Sequence, residues 1–317
     1  MLRGRYAPSP TGQLHLGNAR TALVAWLSAR SAGGQLVLRV EDLEPARAPE
    51  TTAQMLADLR WLGLDWDEGP DVGGPHGPYL QSERRSRYQA AVEQLARRGL
   101  LFPCRCTRGD IRRVAAAPHG AGDDPPPYPG TCRDRPLTSA LLAGIDDPRE
   151  TLRLRAPAGE VCFEDRLYGR YCQDVARQVG DFVVRRGAAQ YAYQLAVVVD
   201  DADMAIDEVV RGSDLLGSTP RQLLLYSLLT ASAPRYAHVP LVLDETGSRM
   251  AKRQGSLTLR GLRERGFSAE TIVGHLGHSF GLLSQPVPMP ATELVPYFAW
   301  DRLSRDPWQV AAPLLSS

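Results

Sequence analysis

RYAPSPTGQLHLGN, residues 5–18, joins two kinds of periodicity. Residues 3–7 read as a short strand that Pro8, Pro10 and Gly12 close. From Asn18 to Ala32 the pattern is helical, with Ala22, Leu23, Trp26 and Leu27 on one face. Gly33 and Gly34 break it. LVLRVED (36–42) then reads as a buried strand, and 48–62 is helical again. Strand, helix, strand, helix is the pattern of an α/β fold around a parallel sheet. A helix N-terminus that follows a strand is a ready anion site. His15 sits where it can donate to a phosphate, and Gly17 lets a ligand come close to the backbone. The same features suit a tight turn with a structural histidine, and for His15 taken alone that plainer reading comes first.

The 317 residues suffice for two or more domains with a real core. Hydrophobic and charged fractions of 43% and 23% are those of an ordinary soluble globular chain. No apolar run approaches the roughly 18–20 residues of a membrane span. The N-terminus lacks the apolar stretch of a signal peptide. The expectation is a cytoplasmic protein with no membrane partner and no obligate protein partner. A net charge of +1 excludes a generally basic, non-specific nucleic-acid binder but leaves room for a local basic face. Arg84, Arg85, Arg87, Arg97 and Arg98 cluster in one predicted helix and read first as a solvated face.

The stretch 101–186 changes character. It holds all five cysteines, a Pro/Gly-rich loop and short strand-like runs such as TLRLRA and DFVVRR. It reads as an insertion into the α/β domain. The expected organisation is therefore 1–100 and 187–235 as two halves of a Rossmann-type catalytic domain, 101–186 between them, and 236–317 as a loop followed by helices. An odd cysteine count argues against a disulfide framework. Cys162 and Cys172 read as small core residues. Cys104-x-Cys106, with Cys132 farther on, supplies three soft ligands that suit a structural zinc site, and three reduced core cysteines are the plainer alternative.

One residue stands out by rarity. Lys252, in ETGSRMAKRQGS (245–256), is the only lysine, and the other 36 cations of the Lys+Arg total are arginines. A lysine is a compact point charge on a flexible stem, and an arginine is a planar fork. The two are not interchangeable where one charge must reach one phosphate oxygen.

RYAPSPTGQLHLGNARTAL resembles the HIGH signature of class I aminoacyl-tRNA synthetases, in their glutamyl branch. RMAKRQGS resembles the second signature of that class, KMSKS. LRVEDLEPAR, GLDWDEGP, GPYLQSERRSRY, YAYQLAVVVDDAD and VVRGSDLLGSTPRQ are all similar to that branch. The resemblance spans nearly the whole chain. It implies a class I Rossmann-type catalytic domain with an inserted, zinc-containing acceptor-type subdomain and a small helical C-terminal region. It implies ATP as substrate with Mg2+, and His15, Gly17, Asn18, Arg249, Met250 and Lys252 around it, with His15 and Lys252 catalytic. Arg249 stands for the first signature lysine and Ala251 for its serine, so the second signature is reduced. For L-glutamate the resemblance implies Arg5, Ser9, Glu41, Tyr193 and Arg211. Two arginines suit two carboxylates, and Glu41 suits the ammonium, although Arg39 and Glu41 alone read as a strand-edge salt bridge. At the cysteines it implies Zn2+ on Cys104, Cys106, Tyr128 and Cys132, with Asp134 and His119 open as other fourth ligands.

Full-length glutamyl enzymes continue into a helical anticodon-binding domain, and none is expected here. The short paralogs that share this outline are glutamyl-queuosine tRNA(Asp) synthetases. They activate glutamate with ATP and attach it to the queuosine base in the anticodon loop of tRNA(Asp). YQLAVVVDD and the serine at 218 lean the same way. The alternatives are a truncated enzyme charging the 3′ end of tRNA and a non-catalytic tRNA-binding paralog.

Overall fold

β1 (Arg3–Tyr6) runs into a turn and then α1 (Leu16–Ser31), which returns the chain to β2 (Gln35–Leu38), parallel to β1. This is a computed structural model, and it describes residues 1–10, 12–43, 49–114, 126–143, 150–188, 190–243, 257–310 and 314. α2 (Pro49–Trp61) and α3 (Arg85–Arg97) follow, then β3 (Leu101–Cys104), α4 (Arg108–Val114), α5 (Ser139–Ala143) and β4 (Thr151–Leu154). β5 (Glu160–Asp165) and β6 (Gly169–Asp174) form a hairpin, and α6 (Val175–Gln178), β7 (Phe182–Arg186) and β8 (Gln190–Tyr191) come after it. α7 (Tyr193–Asp203), β9 (Glu208–Gly212), α8 (Thr219–Leu228), β10 (Arg235–Val239) and β11 (Val242–Leu243) restore the α/β alternation. α9 (Leu259–Glu264), α10 (Ala269–Ser279), α11 (Ala291–Leu294) and β12 (Trp308–Gln309) close the described chain.

The main sheet has the order β2-β1-β9-β10-β5-β6, parallel throughout except for the β5–β6 hairpin. α1 is apolar on most of its circumference, and that is a property of helices covered on more than one side. Leu16, Leu23, Val24, Trp26 and Leu27 share one core with Leu36 and Leu38 of the sheet and with Ile272, Val273 and Leu276 of α10. α1 is thereby clamped between the sheet and the C-terminal helices. No helix among the described residues is long and apolar enough to cross a membrane.

The expected insertion divides in two. β3, β4, β7 and β8 form a separate antiparallel sheet, but β5–β6 joins the edge of the main sheet through β10. Two sequence expectations are corrected here. Cys162 and Cys172 are not core residues. They face each other across the β5–β6 hairpin as a disulfide, with Cys162 exposed. Arg84 is not part of a solvated face. It is fully buried and ion-paired to Asp200 and, at 3.1 Å, to Asp203. Its helix begins one residue later, at Arg85.

Candidate active site

In the main sheet β1 leads to β2 on one side and lies against β9 on the other. Such a reversal of strand order opens a crevice at the carboxyl ends of the strands. A cavity of about 580 Å3 lies there, lined by the ends of β1, β9 and β10, by the start of α1, and by Glu41, Tyr193 and Thr258. Arg5, Ser9, His15, Gly17, Asn18, Glu41, Tyr193 and Arg211, eight positions from four segments of sequence, all line it.

On the β1 side, Arg5 is 4% exposed and donates from Nε to Asp201 (3.4 Å) and from Nη1 to the Val210 carbonyl (3.3 Å). The backbone N–H of Glu41 donates to the Pro8 carbonyl (3.0 Å), and that of Arg39 to Tyr6. This ladder beyond the end of β2 brings Glu41 beside the turn. Arg39 is fully buried and reaches Glu41 (3.4 Å), Asp201 (2.7 Å) and Asp200 (3.5 Å). Burial alone would lower the Arg5 guanidinium, but Asp201 together with Tyr193 and Glu41 outweighs it and holds Arg5 above its ordinary value. Burial pushes the Glu41 carboxyl up against the opposing pull of Arg39 and Arg5. The cluster is thus a buried network in which each cation has a carboxylate partner.

On the β9 side, Arg211 is also 4% exposed, but it is held differently. It donates to His238 Nε2 (3.0 Å), Thr219 Oγ1 (2.7 Å), the Leu215 carbonyl and Tyr193 Oη (both 3.5 Å). Among the described residues no carboxylate forms a salt bridge with it. Two facing arginines, one half-neutralised and one with only neutral partners, leave the cavity receptive to a small dianion carrying one cation near Glu41.

The start of α1 supplies the third wall. His15 is the N-cap, and its Nδ1 accepts from the backbone N–H of Gly17 (3.1 Å) and Asn18 (3.4 Å). Asn18 Oδ1 accepts in return from the His15 N–H. With Nδ1 as acceptor, the proton of the neutral ring is on Nε2, and the ring is a donor there. Gly17 gives this fold-back room, since a Cβ would stand 3.0 Å from the imidazole ring and press it out of place. His15 is thus a structural cap, as the plain reading has it, and it also lines the cavity. Residues 244–256, with Arg249, Met250 and Lys252, lie outside the described residues. Their flanks do not: Val242 and Thr258 both line the cavity, Thr258 bridges to His15, and the Leu259 N–H donates to the Leu14 carbonyl (2.7 Å).

At a separate place, Cys104 and Cys106 at the end of β3 meet Cys132 and Tyr128. Cys106 Sγ is 3.7 Å from Cys132 Sγ, and Tyr128 Oη is 3.4 Å from Cys104 Sγ and 3.9 Å from Cys106 Sγ. Tetrahedral zinc with sulfurs at about 2.3 Å and an oxygen at about 2.0 Å needs S–S and S–O separations of about 3.8 and 3.5 Å, so the four side chains fit. Gly180, at φ +76°, lets the Tyr128 backbone pass where a Cβ would come within 2.7 Å. The Arg153 guanidinium lies 4.0 Å from the Tyr128 ring centroid. Burial pushes the Cys132 thiol up, but the Arg105 N–H, Tyr128 and the neighbouring thiols outweigh it and bring it down to about 7. Asp134 is exposed and outside the thiol group. His119 lies outside the described residues.

Sequence reasoning did not single out Asp200, Asp201, Asp165, His238 or Thr219. Asp200 and Asp201 did carry a signal. Two adjacent carboxylates ending an apolar helical run must be paired if the run is buried. Asp165 and His238, 73 residues apart, carried none.

The family model for class I tRNA synthetases (E and Q), catalytic domain, matches residues 1–310. The chain is 50% identical to "Glutamyl-Q tRNA(Asp) synthetase" of Symbiobacterium thermophilum, over 100% of this chain and 98% of that one. It is 49% identical to the protein of the same name from Nitratidesulfovibrio vulgaris, over 99% and 97%. Among solved structures, a glutamate tRNA ligase from Elizabethkingia meningosepticum in complex with its amino acid superposes with a TM-score of 0.84. It is 26% identical, over 99% of this chain and 68% of that one.

Proposed function

The chain belongs to the class I tRNA synthetase family of E and Q enzymes, and we propose that within it the protein activates L-glutamate with ATP and transfers the glutamyl group to the queuosine base in the anticodon loop of tRNA(Asp). The observation that carries the amino-acid half is the cavity itself. Arg5 and Arg211 line it from the neighbouring strands β1 and β9, with Glu41 between a buried cation network and the open space. The acceptor half is supported by the names of the two relatives that match nearly end to end.

In this reading Arg5 and Arg211 take the two carboxylates, Glu41 takes the ammonium, and Tyr193 and Ser9 border the side chain. An α-carboxylate oxygen attacks the α-phosphorus of ATP, the bond to the pyrophosphate oxygen breaks, and pyrophosphate leaves. His15 Nε2–H and the N-terminus of α1, at Gly17 and Asn18, face the phosphates. Lys252, with Arg249 and Met250, follows the charge that builds on them, and Mg2+ accompanies the nucleotide. A hydroxyl of the queuosine cyclopentene ring then attacks the acyl carbon and AMP departs. Cys104, Cys106, Tyr128 and Cys132 would hold one Zn2+, which supplies a cross-link for the 101–135 segment rather than chemistry. The segments 1–100 and 187–235 act as the catalytic domain, 101–186 as the insertion between them, whose β5–β6 hairpin extends the main sheet, and 236–317 as the second-signature and stem-contact region.

The test is transfer of radiolabelled glutamate to purified queuosine-containing tRNA(Asp) and to glutamate tRNA, with mapping of the labelled fragment. Label in the anticodon fragment of tRNA(Asp) is the expected result. Label confined to the 3′ end of glutamate tRNA would replace it with a charging enzyme. Cys132→Ser is expected to release the metal, read by elemental analysis, and retention of one zinc per chain would remove Cys132 from the site.

A further inference from the structure

Arg211 is a buried guanidinium whose Nε–H needs an acceptor, and the acceptor is a histidine. His238, on β10, is fully buried and can accept at Nε2 only as one tautomer of the neutral ring. Asp165, at the end of β5, sets that tautomer. Its Oδ2 accepts from His238 Nδ1 (2.6 Å) and from the His238 backbone N–H (3.1 Å). Its Oδ1 accepts from the backbone N–H groups of Leu167 and Tyr168, both at 3.0 Å. With the ring proton committed to Asp165, Nε2 presents a lone pair to Arg211. Thr219 closes the figure. Its Oγ1 accepts from Arg211 Nη2 (2.7 Å) and lies 3.2 Å from His238 Nε2. Tyr236 stacks flat against the imidazole, its ring tilted by 11°.

We infer that Asp165 and His238 are positioning residues for amino-acid binding: the carboxylate fixes the histidine tautomer, and the histidine aims the Arg211 fork into the cavity. The inference rests on the glutamate reading above, and it adds a line of three side chains from the β5–β6 hairpin to the substrate. Had the side chain at 238 been protonated or of the other tautomer, an N–H would face the Arg211 N–H and turn the guanidinium away. The charged or titratable groups facing His238 are Asp165 from β5, Arg211 from β9 and Arg5 from β1, with Tyr236 on its own strand. Burial lowers the imidazole and Arg211 adds to this, while Asp165 opposes them. The ring is therefore neutral at neutral pH.

The decisive variant is Asp165→Asn. The Leu167 and Tyr168 N–H groups at the Oδ1 position, against the single His238 N–H that Oδ1 and Oδ2 share, favour the amide oxygen at Oδ1, so the amide NH2 faces Nδ1 and forces the proton onto Nε2. In glutamate-dependent ATP–pyrophosphate exchange, the KM for glutamate is expected to rise about 10–100-fold, the loss expected for one charge-assisted bond. The KM for ATP should stay within about threefold, a split that loss of fold would not give. His238→Gln is the companion, because the Gln amide oxygen can still accept from Arg211 but does not titrate. The unsubstituted protein should show a KM for glutamate that climbs as pH falls below the ordinary histidine range, and His238→Gln should lack that climb. Equal rises in both KM values, an unchanged KM for glutamate, or an acid limb in His238→Gln that begins at the same pH and climbs as steeply as in the unsubstituted protein would overturn the inference, since Glu41 adds a limb of its own in both. Should Asp165→Asn fail to fold, the pH profile of His238→Gln decides alone. Absence of any glutamate-dependent exchange by the unsubstituted protein would overturn the underlying reading first, and this inference with it.

Discussion

On the β1 side of the cavity Arg5 lies 3.4 Å from Asp201, whereas on the β9 side Arg211 is ringed by Tyr193, Thr219, His238 and a carbonyl, all neutral. The two guanidiniums are equally buried, so the difference is not one of exposure. The β1 wall carries its own counter-charges. Arg5, Arg39 and Arg84 are set against Glu41, Asp200 and Asp201, and the network stands without a ligand. The β9 wall orients a charge and leaves it uncompensated at contact distance. A buried cation with only neutral partners carries a desolvation cost that an incoming carboxylate relieves. The β1 wall is balanced within itself and still presents Arg5 and Glu41 to the cavity, whereas the β9 wall presents a charge that only a ligand balances.

Breaking each wall should therefore do different damage. Asp201→Asn leaves Arg5 and Arg39 with one carboxylate fewer in a dry place, and a broken buried pair of this kind costs about 3–5 kcal/mol. The denaturant midpoint should fall accordingly, and a midpoint shift under about 1 kcal/mol would remove the balanced network from the account. Arg211→Ala is expected to spare the fold, since it abandons only neutral acceptors beside an open cavity, at about 1 kcal/mol. Its kcat/KM for glutamate should drop about 10^2–10^3-fold. A loss of stability equal to that of Asp201→Asn would erase the contrast.

The acid decline tied to His238 should begin before the one tied to Asp201. Burial depresses His238, so as pH falls below its unfolded value, about 6.5, the unfolded chain takes up the proton before the folded one. Stability contributed by the neutral ring is full above that pH and declines below it, by up to about 1.4 kcal/mol per pH unit. Burial pushes Asp201 up, but Arg39 and Arg5 outweigh it and hold the carboxyl low. Its contribution is full above the ordinary aspartate value, about 3.9, and is lost only as pH falls through the lowered native one. Thermal unfolding from pH 8 down should show the first decline in the unsubstituted protein and a smaller one in His238→Gln. Superimposable curves would contradict the assignment.

Much of the frame could be read from the residues. The strand–turn–helix at 5–18 and the return to β2 follow from spacing and from Pro/Gly punctuation, which act locally. The elements shifted by only a few residues, because α1 starts at its histidine cap rather than at Asn18. The eight cavity residues named from the ordered resemblance converge on one crevice. What the sequence hid is non-local. Nothing near His238 announces Asp165, and the β5–β6 hairpin looks like part of the insertion until it pairs with β10. Cys162 and Cys172 are 10 residues apart, a separation a hairpin turns into direct opposition, yet an odd cysteine count argued the other way. Arg84 looked like one of several surface arginines, and only its two carboxylate partners distinguish it.

The most direct measurement is ATP–pyrophosphate exchange without tRNA, run with glutamate, glutamine and aspartate at matched concentrations. Glutamine has the size and ammonium of glutamate and lacks one carboxylate, so it isolates the second arginine. The two-walled cavity predicts exchange with glutamate and a rate with glutamine lower by about 10^2-fold or more. Equal exchange with glutamine, or none with any of the three, would contradict it.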